Sequence, residues 1–269
     1  ERVLGKVSLP ATIKELMAVV LSRELEDGDH LQVGVALPVP EVAVRLAHIM
    51  HGPNMQLIFL GARMNVHHLE SIPLPDFGWD SRSVRWAESY SDRGHRFDQV
   101  KAWHKRVFFV GGLQVDKFGN INLIGIGNDP KKLKFRGPAS VGTPTLTTHV
   151  GRYYIVLNNH SSRVLVPKCD YVSAVGWHEG GADSREELGI PGGGPKLCVT
   201  PLCVMDFTEV EKRMRLVSLH PGVTLDDVKA NTGFELVIPD IIPTTAVPTE
   251  DELTILRTRV DLNGLLRSG

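Results

Sequence analysis

Behind Thr12-x-x-Glu15, a capping-box pattern, apolar side chains recur at Ile13, Leu16, Met17, Val20 and Leu21, the spacing of one buried helical face. Glu26-Asp27-Gly28 closes that helix, and residues 30–36 read as a strand. Pro38-Val39-Pro40 breaks the strand, and Pro40 suits the first turn of a second helix carrying Val42, Val44, Leu46, Ala47, Ile49 and Met50. Gly52-Pro53-Asn54 ends it, and residues 55–60 form the next apolar strand. Two strands joined through a helix pair in parallel. The pattern therefore predicts an α/β fold with an open, mostly parallel sheet and helices on both faces.

Further along, residues 106–110 are a short apolar strand. Residues 111–127 alternate about Lys117-Phe118-Gly119-Asn120, the pattern of a β-hairpin with a Gly/Asn turn. Strands are expected at 155–157, 171–175, 197–204 and 214–219. Thr224 caps a short helix closed by Gly233, and Thr249-x-x-Glu252 opens a last helix with Leu253, Leu256 and Val260. Residues 76–106 differ. Trp79, Trp86 and Trp103 stand among many charges, which suits amphipathic helices over a cleft or a solvated helical face anchored by Trp. No repeat or low-complexity linker divides the chain, so residues 1–269 are read as one domain.

Composition narrows the partners. Among 269 residues, 30 basic and 31 acidic side chains give a net charge of −1, which speaks against a general nucleic-acid or membrane-surface role. Neither a basic apolar leader nor an apolar run of about 18 residues is visible, so a cytoplasmic location is expected. Cys169, Cys198 and Cys203 form no C-x-x-C pair and have apolar flanks, and are expected to be buried free thiols.

The chemistry-bearing motifs are sparse. Val33-Gly34-Val35-Ala36-Leu37-Pro38 lacks dinucleotide spacing and no P-loop occurs. What remains at Gly34 is a close backbone approach before a helix, or simply a tight turn. Arg136-Gly137-Pro138-Ala139-Ser140-Val141-Gly142 is a second such turn, whose backbone N–H groups could hold an oxyanion if it is more than a surface loop. Eleven histidines, His48, His51, His67 and His68 among them, show no metal-ligand spacing, and no serine-hydrolase elbow is present. Residues 57–66, LIFLGARMNV, form an apolar strand running into the polar Arg63-Met64-Asn65, the setting of an α/β active site. No acid, thiol or hydroxyl stands in its first six residues.

Several stretches resemble the β subunits of class I coenzyme A transferases in the family's order. They are Gly112-Leu113-Gln114-Val115-Asp116-Lys117-Phe118-Gly119-Asn120-Ile121-Asn122, His220-Pro221-Gly222-Val223-Thr224 with Thr232-Gly233-Phe234, Pro248 to Leu253 with Leu256-Arg257, and residues 32–38. The resemblance implies an α/β fold and a homologous α subunit, with an α2β2 heterotetramer expected. It implies a CoA-thioester substrate, no cofactor beyond the substrate's own CoA, and no metal. By position it implies CoA or oxyanion binding by Gly34, Arg136, Gly137, Ala139 and Ser140, and substrate contacts from Phe59, Leu60, Gly61, Arg63 and Asn65. The family's nucleophilic Glu would fall at or beside Leu60, which cannot form an acyl anhydride. That departure is similar to the branch of actinobacterial steroid-ring hydrolases of cholesterol catabolism. There, water-dependent C–C cleavage of a cyclic-ketone CoA thioester would use a base from the α subunit. The alternatives are a conventional transferase whose Glu lies elsewhere, and a non-catalytic subunit supporting its partner.

Overall fold

The computed structural model describes residues 10–34, 37–59, 62–65, 89–90 and 100–268. The chain divides into two compact units, residues 1–96 with 246–269, and residues 97–245.

In the first unit, α1 (Ile13–Arg23) starts at Thr12, whose hydroxyl accepts from Glu15 N–H while the Glu15 carboxylate accepts from Thr12 N–H. Leu16, Met17, Val20 and Leu21 are buried, whereas Ile13, at the helix start, is exposed. β1 (His30–Val33) pairs in parallel with β2 (Gln56–Phe59), His30 opposite Gln56. Between them α2 (Pro38–Met50) takes Pro38 at its first helical position, two residues earlier than Pro40. Val42, Ala43, Val44, Leu46 and Ala47 are wholly buried, and α2 packs on α1 and on the C-terminal helix. The polar segment after the strand proves to be β3 (Ala62–Asn65), antiparallel to β2, followed by the short β4 (Ser89–Tyr90). Ser89 and Tyr90 are thus extended, not helical. Most of the 76–106 segment, with Trp79 and Trp86, lies outside the described residues.

The second unit opens with a 3₁₀ turn, Val100–Lys105, and β5 (Arg106–Val110). Trp103 is buried under the Arg106 guanidinium, 4.2 Å from the ring centre. Then come the hairpin β6 (Gln114–Val115) and β7 (Ile121–Asn122), the hairpin β8 (Gly125–Ile126) and β9 (Phe135–Arg136), and helix α3 (Thr143–His149). β10 (Arg152–Val156) pairs in parallel with β5, placing Tyr154 opposite Phe109 with the rings stacked at 5.4 Å. After the single helical turn α4 (Ser184–Glu187), β11 (Pro195–Val199) continues the parallel pairing. β12 (Cys203–Phe207) and β13 (Met214–Leu219) add antiparallel edges. In both units strands joined through a helix are parallel and those joined by short turns antiparallel. This is the open α/β sheet the pattern predicts. α5 (Leu225–Asn231) carries a second capping box at Thr224, and α6 (Glu250–Ile255), of the first unit, a third at Thr249, before a π-helical turn at Leu256–Val260.

Two expectations fail. Residues 197–204 are not one strand: Pro201 cannot continue a ladder, and the Thr200 hydroxyl accepts from Leu202 and Cys203 N–H to fold a turn between β11 and β12. Residues 171–175 hold only an isolated bridge at Ala174 to Ile121, because the Ser173 hydroxyl serves Leu123 N–H instead. The three cysteines are free and buried, and among the described residues no helix is long and apolar enough to cross a membrane.

Two buried polar clusters set stability. The Glu15 carboxylate, fully buried, receives Arg257 Nε and Nη2 at 2.7 and 2.8 Å, and Arg257 also bonds Pro10 O. Burial alone would raise the Glu15 pKa; the hydrogen bonds from Arg257 and Thr12 and the Arg257 and Arg267 charges outweigh it and hold it low. Removing one partner strands a buried charge. Arg257→Ala should cost about 3–5 kcal/mol in urea unfolding, and Glu15→Ala on top of it much less than it costs alone. Additive losses would show the pair to be uncoupled.

In the second unit, His160 bonds the Thr200 and Thr232 hydroxyls at 2.8 and 3.0 Å, and His220 bonds the Thr245 hydroxyl and Thr200 O, both at 2.9 Å. Burial lowers both imidazole pKa values, that of His160 to about 4, with the His220 charge adding to it. The folded state thus holds neutral rings while the unfolded chain takes up protons below about pH 6.5. Stability is full above that value and falls as pH drops toward 4. Between about pH 7.5 and 5, His160 should account for a loss of roughly 2 kcal/mol in urea unfolding, and His160→Gln should flatten that slope.

Candidate functional site

The 111–127 hairpin is built from side-chain amides. Asp116 accepts from Phe118 N–H and Asn120 N–H at 2.9 and 3.1 Å, and both its oxygens accept from Asn120 Nδ2. Asn120 Nδ2 also reaches His178 O, and its Oδ1 accepts from Gly176 N–H. Gly119 completes the turn at φ 72°, a conformation glycine adopts without strain. Asn122, wholly buried, donates to Gln114 Oε1 at 2.7 Å and Gly125 O at 2.8 Å, and accepts from Ile124 and Gly125 N–H. Gln114 Oε1 takes a second bond from Asp170 N–H.

That lattice fixes the next segment. Gly137 N–H donates to Ile124 O at 2.8 Å and Ala139 N–H to Leu123 O at 3.0 Å, so the loop from Arg136 to Gly142 hangs from the residues Asn122 holds. Gly137 is obligatory, since a Cβ there would run into Leu123 O. Ala139 (φ 69°) and Val141 (φ 45°) are left-handed without being glycine, and Val141 is 92% exposed. A β-branched residue in that region is a true outlier and costs of order 1–3 kcal/mol. Ser140 O accepts from Thr143 N–H, the start of α3. Alternating hand along such a loop turns successive N–H groups to one side, an arrangement suited to an oxyanion. Arg185 secures the far side: it donates to Gly192 O, Val175 O, Gly176 O and Thr147 O, the last within α3. Gly192 thus belongs to a loop held by Arg185. Burial lowers this guanidinium's pKa, and the carbonyls, not a carboxylate, satisfy it.

Of the expected site residues, Arg136, Gly137, Ala139 and Ser140 share this one loop, with Arg136 exposed. Gly34 directly follows β1 and is half-buried. Phe59 closes β2, with Ala62 as its backbone partner, and Arg63 and Asn65 lie on β3; their side chains, and Leu60 and Gly61 altogether, lie outside the described residues. Glu41, the acid preceding this stretch, is buried in α2 and bonds Arg45 at 3.1 Å. A cavity of about 390 Å³ is lined by Asp116, Lys117, Phe118, Lys168, Cys169 and His178 among others. Asp116 is engaged by Asn120 and two backbone N–H groups, and burial, with the Asp116 charge, raises the Cys169 thiol far above the reactive range. That thiol is not a nucleophile. The loop's dependence on Gln114 and Asn122 escapes a reading of the turn alone, although both residues stand in the motif.

Residues 88–231 match the family model for coenzyme A transferase. The chain is 36% identical to a subunit of the 3-oxoadipate CoA-transferase of Pseudomonas knackmussii, over 90% of this chain and 91% of that one. The chain belongs to the coenzyme A transferase family. It is also 30% identical to the cholesterol ring-cleaving hydrolase IpdB subunit of Mycobacterium tuberculosis, over 95% of this chain and 97% of that one. Its fold matches the crystal structure of glutaconate coenzyme A-transferase from Acidaminococcus fermentans with TM-score 0.85 and 26% identity, covering 96% and 98% of the two chains. For this family member, the amide lattice makes a loop-specific prediction. Asn122→Leu should speed hydrogen exchange at Gly137 and Ala139 beyond the global loss of stability, itself about 2–4 kcal/mol. Exchange at those amides that tracks only global unfolding would disconnect the loop from the motif.

Proposed function

We propose that this chain is the β subunit of a two-subunit CoA-thioester hydrolase that opens a steroid-derived cyclic ketone by water-dependent C–C cleavage. The single observation that carries the reading is the stretch Gln56 to Asn65, which contains no carboxylate, with Leu60 at or beside the position where the transferases' nucleophilic Glu is expected. The similarity to a ring-cleaving hydrolase subunit supports it. A homologous α subunit, whose carboxylate is the base, completes the site.

In this reading the base removes a proton from water and the hydroxide adds to a ring carbonyl. Backbone N–H groups of the Ser140–Gly142 stretch, beyond those of Gly137 and Ala139 that hold the loop to Ile124 and Leu123, take up the resulting oxyanion. Collapse of the adduct breaks the adjacent C–C bond; its electron pair passes to the neighbouring carbonyl as an enolate, which is then protonated. The new carboxylate carries the oxygen of water. Phe59 and Leu60 suit an apolar polycyclic face, and Arg63 or Asn65 a polar group.

The 36% identity to a 3-oxoadipate transferase subunit favours a second reading, conventional acyl transfer through a Glu elsewhere. One experiment separates them. The co-expressed complex is incubated with acyl-CoA and then borohydride or hydroxylamine, and in parallel with a cyclic-ketone CoA thioester in ¹⁸O-water. We expect no glutamyl adduct on this chain and one ¹⁸O in the ring-opened acid. A trapped adduct here, with no ring opening, overturns the hydrolase.

A further inference from the structure

The stretch Asp129-Pro130-Lys131-Lys132-Leu133-Lys134-Phe135-Arg136 sets four cations against one carboxylate, in a chain whose net charge is −1. It forms the tip and returning strand of the β8–β9 hairpin. All four cations are exposed, and among the described residues none makes an ion pair. Phe135 is 54% exposed between two of them. The one acid is occupied in shaping the tip: Asp129 Oδ1 accepts from Lys131 N–H and Asp129 O from Lys132 N–H, each at 2.9 Å.

The hairpin is continuous with the candidate oxyanion loop. Lys134 N–H donates to Ile126 O at 2.8 Å, and the same ladder continues through Gly137 to Ile124 and Ala139 to Leu123. Its other strand is anchored by Gly127 N–H on Asp170 Oδ2 at 2.8 Å. Ser140 lies six positions after Lys134, a reach of at most about 20 Å. Clustered like charges repel one another, and an exposed aromatic ring among them gains nothing from burial. Both costs are offset by a ligand that joins several phosphates to a flat heterocycle.

We propose that this hairpin binds the 3′-phospho-ADP end of the CoA thioester, with Lys131, Lys132 and Lys134 on the phosphates and the Phe135 ring against adenine. Ammonium groups serve phosphate as point charges, and base-on-aromatic stacking tolerates an open, solvated face. The assignment rests on the CoA-thioester reading above and gives that substrate a second anchor remote from the reacting carbonyl.

The test uses the complex of this chain with its partner subunit, and the triple variant Lys131→Gln/Lys132→Gln/Lys134→Gln, all surface positions. Calorimetric titration is run with free CoA, dephospho-CoA and pantetheine. The wild type should bind CoA at least about tenfold tighter than pantetheine. The variant should lose about tenfold for CoA, less for dephospho-CoA, and nothing for pantetheine, and added salt should weaken CoA binding to the wild type more than to the variant. Phe135→Ala should weaken CoA and dephospho-CoA equally. A variant that binds CoA as the wild type does overturns the inference and leaves the CoA reading standing. A wild-type complex that binds neither CoA nor pantetheine removes both. A variant that no longer holds the partner subunit makes the hairpin an interface, which also overturns it.

Discussion

The buried side-chain amide of Asn122 is the constraint on which the candidate site rests. It spends both donors, on Gln114 and Gly125 O, and its carbonyl on the Ile124 and Gly125 N–H groups, with no solvent to substitute for any of them. Asp would lack the donors, Leu would lack everything, and Gln would be a methylene too long. Because Leu123 and Ile124 in turn receive Ala139 and Gly137, the geometry of an exposed, strained loop is set from beneath by one amide. The cost of holding Ala139 and Val141 left-handed is met by this over-determined support.

The motif residues are therefore architecture, not reagents. Asp116 is held by Asn120 and two backbone N–H groups, three of the four bonds falling on Oδ1, with burial raising its pKa. Arg185 is the counterpart on the other side of the loop, a buried guanidinium held by four carbonyls. Such groups fix position and carry no chemistry of their own.

Periodicity made the helices and central strands legible, because a buried face repeats over many residues: α1, α2, β5 and the Asp116–Asn120 turn lie where the pattern puts them. Short-range competition hid the rest. Residues 197–204 are apolar on both sides of Thr200-Pro201, so the run reads as one strand unless that pair is taken as the turn that Pro201 and the Thr200 hydroxyl impose. Residues 171–175 look extended, but Ser173 gives its hydroxyl to a different segment. At the site, Arg136 to Ser140 were legible as a Gly-containing turn; the left-handed Val141 was not, since nothing in a valine announces φ 45°. Tertiary support decides it.

The same division bears on how one fold hosts unlike reactions. A relative named as a transferase and one named as a ring-cleaving hydrolase stand at 36% and 30% identity to this chain, each over nearly its whole length. The lattice that holds the loop is indifferent to which reaction the loop serves, because an oxyanion arises both when a carboxylate attacks a thioester and when water attacks a ketone. The strand end bears on the choice between the two proposed readings. A carboxylate placed after an apolar strand such as Leu57 to Phe59 carries a desolvation cost unless it is paired or hydrogen-bonded. The proposed hydrolase needs no such group on this chain: residues 56–65 hold no carboxylate, and its attacking atom is the oxygen of water.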